Sequence, residues 1–156
     1  MIKSQKKWVI INLKDFNKIT KSNIYSIFLQ TDIIQTIAEC SYIFIFNAAS
    51  FFYQWQVYSL HHQHFSTVSH HEQKIFKVTV MNFINSVFYI QQQIENVLWL
   101  LQEFVWIYID NLVVFSCSQN KHMNHLYQFF FLLMKYNIVI NLKKIYIDFS
   151  TMHFFD

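Results

Sequence analysis

The chain of 156 residues contains no glycine, no proline and no arginine; all twelve of its Lys+Arg positions are lysine. Average usage would be about 7% Gly and 5% Pro. Without glycine, any turn that needs a positive φ must use Asn, Asp or a strained residue. Without proline, loops lose a restraint on the unfolded chain. Cysteine is scarce as well. Cys40 and Cys117 are too few for a disulfide scaffold, which suggests a reducing compartment or no role. Long apolar spans are also missing. The longest uncharged run, Cys40 to His71, carries Asn47, Gln54, Gln56 and five histidines, and makes a poor membrane span. The basic start, Met1 to Lys7, is followed by Asn12, Lys14 and Asp15, which does not fit a signal peptide.

Aromatics and amides are abundant instead. Phe numbers 18 and Tyr 9, aromatics make up 20% of the chain, and Ile, Asn and Gln are plentiful. The missing residues have codons rich in G and C, and the abundant ones have codons rich in A and T. Nucleotide bias therefore shaped this composition more than protein physics did. Runs such as Phe129-Phe130-Phe131 give material for a core and for aggregation, so poor solubility is expected. The net charge of +3 permits nucleic-acid binding without indicating it.

The most informative stretch is Phe104 to Ser116. Two β-branched and aromatic runs, Phe104 to Ile109 and Leu112 to Ser116, flank one polar step, Asp110-Asn111. This pattern predicts a hairpin with the Asx pair at its tip, because Asx residues tolerate positive φ. A carboxylate on such a tip is placed to meet a metal.

The remaining pattern is mixed. Trp8 to Leu13 predicts a strand and Lys14 to Thr20 a polar turn. Ser26 to Glu39 predicts a helix with Thr31 or Asp32 as N-cap. Ser41 to Phe46 predicts a strand, and Asn47 to Trp55 a turn with a helix start. Phe65–Val68 and Ile75–Met81 read as a hairpin, Ser86–Gln102 as a long helix, and His122–Tyr136 as an amphipathic helix. Ile138–Ile140 and Tyr146–Asp148 read as short strands around a turn at Asn141–Lys144. Without an internal linker or repeat, this order predicts one α+β domain with an antiparallel sheet and packed helices.

Seven stretches, taken in order, resemble the reverse transcriptases of gypsy-like LTR retrotransposons, especially fungal ones. Val9 to Thr20 resembles "VVDxRxLNKIT". Phe46 to Trp55 resembles the first catalytic motif, in which an Asp ends a strand and an aromatic follows five residues later. Phe76 to Gln91 resembles "VMPFGLxNAPxxFQ". Tyr108-Ile109-Asp110-Asn111 stands where the family has Tyr-x-Asp-Asp. His122 to Leu126, Asn141 to Lys144 and Phe154 to Asp156 resemble "EHLxHL", "LNxxKC" and "FLG". The resemblance spans residues 7–156 and implies a polymerase fingers–palm domain, with thumb, RNase H and integrase regions outside it.

What the resemblance implies is RNA-directed DNA polymerisation on an RNA/DNA template-primer with dNTPs. In that reaction three carboxylates hold two Mg²⁺ ions. The three positions map to Asn47, Asp110 and Asn111, of which only Asp110 is an acid. Nucleotide-side positions map to Phe52, Phe83, Trp8 and Lys14. Phe52 keeps the aromatic expected under the sugar, whereas Trp8 replaces a phosphate-gripping Arg. The changes Asp→Asn, Arg→Trp, Gly→Asp and Pro→Ser or Leu are each one G-to-A or C-to-T step. They fit a retrotransposon copy degraded by directed C-to-T mutation, with catalysis lost. Two non-catalytic alternatives stand beside it. One is a nucleic-acid-binding remnant using Lys6, Lys7, Lys14, Lys18 and Lys21. The other is a histidine metal site built from His61, His62, His64, His70 and His71.

Overall fold

In a computed structural model of the chain, residues 11–27, 30–38, 40–68 and 70–148 are described. The strand expected at Trp8 and the "FLG"-like segment Phe154 to Asp156 lie outside them. Among the described residues the helices are α1 (Lys14–Ile19), α2 (Gln30–Ile37), α3 (Ser86–Leu98) and α4 (Gln119–Lys135). The strands are β1 (Tyr42–Ala48), β2 (Ser66–Val68), β3 (Gln73–Ile75), β4 (Val105–Tyr108), β5 (Asn111–Ser116) and β6 (Ile140–Asp148). No helix among them is long and apolar enough to cross a membrane.

The palm is a four-stranded sheet in the order β4-β5-β1-β6, with each neighbouring pair antiparallel. Side chains alternate across it with period two. Phe46, Val105, Ile107, Leu112 and Val114 face α3 and α4, where they meet Ile94, Leu98, Leu126 and Phe129. Ile43, Val113 and Phe115 face the other way and meet Ile33 and Ile37 of α2. Helices therefore cover both faces, so β5 is buried along Leu112 to Ser116 and reads as an unbroken apolar run. A third cluster, built on Leu13, Phe65 and Val80 with Phe16, Val57, Phe76 and Phe83 against it, forms the fingers side. There β2 and β3 make a separate two-stranded sheet.

Several sequence expectations change. Lys14 to Ile19 is a helix, not a turn. Asp15 pairs with Lys18 at 2.8 Å one turn on, and Phe16 anchors the segment against Phe65 and Phe83. Ile11 to Leu13 forms no strand; Leu13 is buried in the fingers cluster instead. In α2, Thr31 and Asp32 lie inside the helix, whose described span is Gln30–Ile37. Strand β3 stops at Ile75, and beyond it only Val78 makes an isolated bridge, to Gln56. The helix from Ser86 ends at Leu98 and tightens into a 3₁₀ turn, Trp99–Leu101, that buries both Leu98 and Leu101 before β4.

Asn141 to Lys144 does not reverse the chain. β6 runs through it, pairing Ile145 with Phe46 and Ile140 with Ala48 across a register shift. The Lys143 N–H donates to the Asn141 side chain at 3.1 Å, an Asx turn absorbed as an irregularity within the strand.

The chain also shows how it does without glycine. Among the described residues, positive φ falls on Ser50, Asn82, Ile109 and Asn137. At the end of α4, Asn137 takes the left-handed position, its N–H donating to Met134 and the next N–H, of Ile138, donating to Leu133. This is a Schellman closure, with Asn in the usual glycine position and Ile138 packed near Leu133 in the main core.

Candidate functional site

The last pair of the β1–β5 ladder sets Asn47 opposite Asn111, and the last pair of β4–β5 sets Tyr108 opposite Asn111. The hairpin turn is therefore Ile109-Asp110, one residue earlier than the Asx step suggests. The positive φ, 54°, falls on Ile109, a β-branched residue that disfavours it. Two contacts hold it there. Its side chain joins the cluster of Ala48, Phe51 and Ile90, and its N–H donates to Gln91 Oε1 at 3.0 Å. Together they outweigh a backbone strain of about 1–2 kcal/mol.

This arrangement brings Asn47, Asp110 and Asn111 together. Asn47 Nδ2 donates to Asp110 Oδ2 at 2.6 Å and approaches Asn111 Oδ1 at 3.3 Å. The Asp110 carbonyl accepts from the Ala48 N–H at 2.7 Å, tying the turn to β1. All three side chains are half-buried. Asn47 is thus bound through its nitrogen, with one carboxylate oxygen already taken.

That donor set does not fit the pair of Mg²⁺ ions implied by the resemblance. Mg²⁺ takes hard, preferably anionic oxygens in near-octahedral geometry. Here one carboxylate stands with two carboxamides, and an N–H, not an oxygen, points at it. Among the described residues no three His, Cys, Asp or Glu side chains converge in a metal-holding group. The same statement covers the histidine alternative. His61, His62 and His64 lie on a 3₁₀ turn, where His62 bonds the Val57 carbonyl at 2.8 Å, and His70 and His71 are exposed.

The remaining described candidates separate, with Phe52 near the site and Phe83 and Lys14 on the fingers side. Phe52 lies beside the site, edge-on to Phe51 with ring centroids 5.6 Å apart, and partly buried against the Ala48–Phe51–Ile90 cluster. Phe83 stacks into the fingers with Phe65 and Phe16, at 5.0 and 5.7 Å between centroids. It lines a cavity of about 340 Å³ whose described walls include none of Asn47, Asp110 or Asn111. Lys14 opens α1 on the exposed fingers surface, and Lys18 is engaged by Asp15. Trp8, Lys6 and Lys7 lie outside the described residues.

Sequence reading missed Gln91, which is fully buried on α3. Its Oε1 accepts from the Ile109 N–H, and its Nε2 donates to the Ile107 carbonyl at 3.0 Å and to Glu95 Oε1 at 2.5 Å. Glu95 in turn accepts from the Tyr25 hydroxyl, and that hydrogen bond, with burial, pushes the Tyr25 phenol up to about 12. One amide side chain thus clamps both sides of the turn. The available signal was its place in the run Gln91-Gln92-Gln93, where only Gln91 stands three residues before Ile94 on the side buried with Ile90 and Leu98.

The fold matches solved polymerases. It is similar to a foamy viral protease-reverse transcriptase in complex with ds DNA, with a TM-score of 0.84 at 14% identity, covering 99% of this chain and 27% of the other. A second structure, of the foamy viral protease-reverse transcriptase in complex with RNA/DNA hybrid, gives a TM-score of 0.78 at 14% identity, covering 87% of this chain and 18% of the other. The fold is the reverse-transcriptase fingers–palm, an α+β arrangement with an antiparallel palm sheet. In sequence the chain is 27% identical over 143 residues to the Enzymatic polyprotein of Figwort mosaic virus (strain DxS), covering 89% of this chain and 21% of the relative. It is also 27% identical over 139 residues to the Retrovirus-related Pol polyprotein from transposon 297 of Drosophila melanogaster, covering 87% and 13%. The chain thus spans about a fifth or less of the length of these relatives. No family model matches it.

Proposed function

We propose that the chain is the reverse-transcriptase domain of a Pol-type polyprotein from a gypsy-like, fungal-type LTR retrotransposon, and that it has lost metal-dependent nucleotidyl transfer. On this reading the fingers–palm domain corresponds to residues 7–156. Its inherited reaction is RNA-directed DNA polymerisation, and its inherited partners are an RNA/DNA template-primer and dNTPs. The viral and transposon polyprotein relatives support the reverse-transcriptase part of this reading, and the nucleic-acid complexes of the structural neighbours support its nucleic-acid partner; the gypsy-like, fungal-type assignment rests on the sequence motifs. Asp110 is the surviving metal-ligand position; Asn47 and Asn111 are the neutralised ones. Phe52 stands at the sugar-facing position, with Phe83, Lys14 and Trp8 as the other nucleotide-side positions.

One observation carries the loss of catalysis: the Asn47 amide nitrogen donates to Asp110 at 2.6 Å. A primer hydroxyl needs a metal to lower its pKa, and the leaving pyrophosphate needs cations to take up its charge. Two of the three negative charges that would hold those cations are absent. The test is primer extension on an RNA template by the purified chain, with Mg²⁺ and then with Mn²⁺. No extension is expected with either ion. Extension that disappears in the Asp110→Ala variant overturns the reading.

A further inference from the structure

We propose that Cys40 and Cys117 form a reversible oxidation site, closing to an intramolecular disulfide when the chain meets a small disulfide oxidant of the glutathione class. The two thiols stand 77 positions apart in sequence, yet their Sγ atoms lie 3.8 Å from each other. A disulfide needs about 2.05 Å, so closure asks for side-chain rotation and a small backbone shift, not rearrangement of the fold.

The sheet explains the meeting. Tyr42 opposite Ser116 is the terminal pair of β1 and β5. One step further along β5 is Cys117, and two steps back from Tyr42 is Cys40, so the thiols meet diagonally just past the ladder's end. Each is positioned by an ordered element. The Cys40 N–H donates to the Ile37 carbonyl at 2.9 Å at the end of α2, and its side chain packs against the Ile33–Ile43–Val113 cluster. Cys117 directly follows β5 and precedes Ser118, the N-cap of α4. The Asn47–Asn111 pair terminates the same ladder at its opposite end, so the thiols are remote from the candidate catalytic positions.

Exposure sets the order of events. Cys117 is exposed and Cys40 half-buried. The Cys117 thiolate attacks one sulfur of glutathione disulfide; that S–S bond breaks, a Cys117–glutathione bond forms, and one glutathione thiolate leaves. The Cys40 thiolate then attacks Cys117 Sγ, forms the protein disulfide and expels the second glutathione thiolate. The protein thiols lose two electrons, one glutathione disulfide gains them, and the two protons released by the protein thiols go to the two glutathione thiolates. The product ties the end of α2 to the end of β5.

The experiment incubates the purified full chain in glutathione redox buffers, quenches with acid, alkylates the remaining thiols and measures intact mass. Both thiols should vanish together, with loss of two hydrogens and no accumulating glutathione adduct. In denaturing urea the equilibrium constant for closure should fall about tenfold or more, because the native fold supplies the proximity. The Cys40→Ser variant should stop at a stable adduct on Cys117, and the Cys117→Ser variant should react more slowly. Accumulation of wild-type adduct, chain-to-chain dimers as the main product, or equal closure in urea overturns the proposal.

Discussion

Asn47 and Asp110 meet at the end of the β1–β5 ladder, 63 positions apart in sequence, with the amide nitrogen 2.6 Å from the carboxylate. The contact is a charge-assisted hydrogen bond, of a type that contributes about 1.5–3 kcal/mol. Asn47→Asp replaces the donor with a second carboxylate at the same place. Without metal, the variant should lose about 1–3 kcal/mol of stability through the lost bond and like-charge repulsion. Adding Mg²⁺ should return part of that loss, and Asn47→Asp with Asn111→Asp should respond to Mg²⁺ more strongly. Urea melts with and without millimolar Mg²⁺ measure this. An identical Mg²⁺ response in wild type and the double variant refutes it.

Gln91 clamps the Ile109 turn with its amide oxygen as acceptor and its amide nitrogen donating to two partners, while fully buried. Gln91→Leu keeps the volume but leaves the Ile109 N–H without its side-chain acceptor. The expected loss is about 1–3 kcal/mol, the penalty for a buried polar group left unpaired. Amide hydrogen exchange should also rise at Ile109 well above its change elsewhere. Unchanged exchange at Ile109 would mean that the turn is held by packing alone.

Asn137 closes α4 with φ at 54° and no glycine available. Asn tolerates this region better than most residues, but Gly adopts it without steric penalty. Asn137→Gly should therefore raise stability by about 0.5–1 kcal/mol, and Asn137→Ala should lower it. Urea midpoints decide the matter. A Gly variant no more stable than the Ala variant removes the argument.

The palm was legible where burial imposes a period. Leu112 to Ser116 reads as a strand because both faces are covered, and Leu126, Phe129 and Leu133 read as a helix because one face is. Legibility failed where local chemistry and tertiary pairing disagree. Asn141 to Lys144 carries a turn signature and makes an Asx turn, yet β1 pairs on either side of it and keeps β6 continuous. Asp110-Asn111 reads as the tip, yet Gln91 and the Ala48–Phe51–Ile90 cluster pull the positive φ back onto Ile109. The meeting of Asn47 with Asp110 followed from the resemblance. The meeting of Cys40 with Cys117 had no local signal, since it depends on the register of two strands distant in sequence.

His122 supplies the pH prediction. It is buried on α4 with Nδ1 2.9 Å from Ser116 Oγ, and the same hydroxyl lies 2.8 Å from His125 Nδ1. A hydroxyl has one proton to donate, so the two neutral imidazoles fit it as one acceptor and one donor. Either tautomer leaves His122 Nε2 without a described partner. The Phe44 ring stands edge-on at 4.6 Å, the Tyr42 ring lies at 5.9 Å, and His125 is the facing titratable base. Burial, then the charge of His125, hold the His122 pKa below its ordinary value of 6.5. The unfolded chain therefore binds this proton more readily than the folded one. The stabilising contribution is full above about pH 6.5 and declines as pH falls from there toward the folded pKa. The chain carries seven other histidines, so the readout is the difference from His122→Phe, which places a ring among Tyr42 and Phe44 and keeps the Ser116–His125 hydrogen bond available. Wild type should lose more stability than this variant between pH 7 and pH 5 in urea melts. Parallel pH profiles would show that His122 does not link folding to protonation.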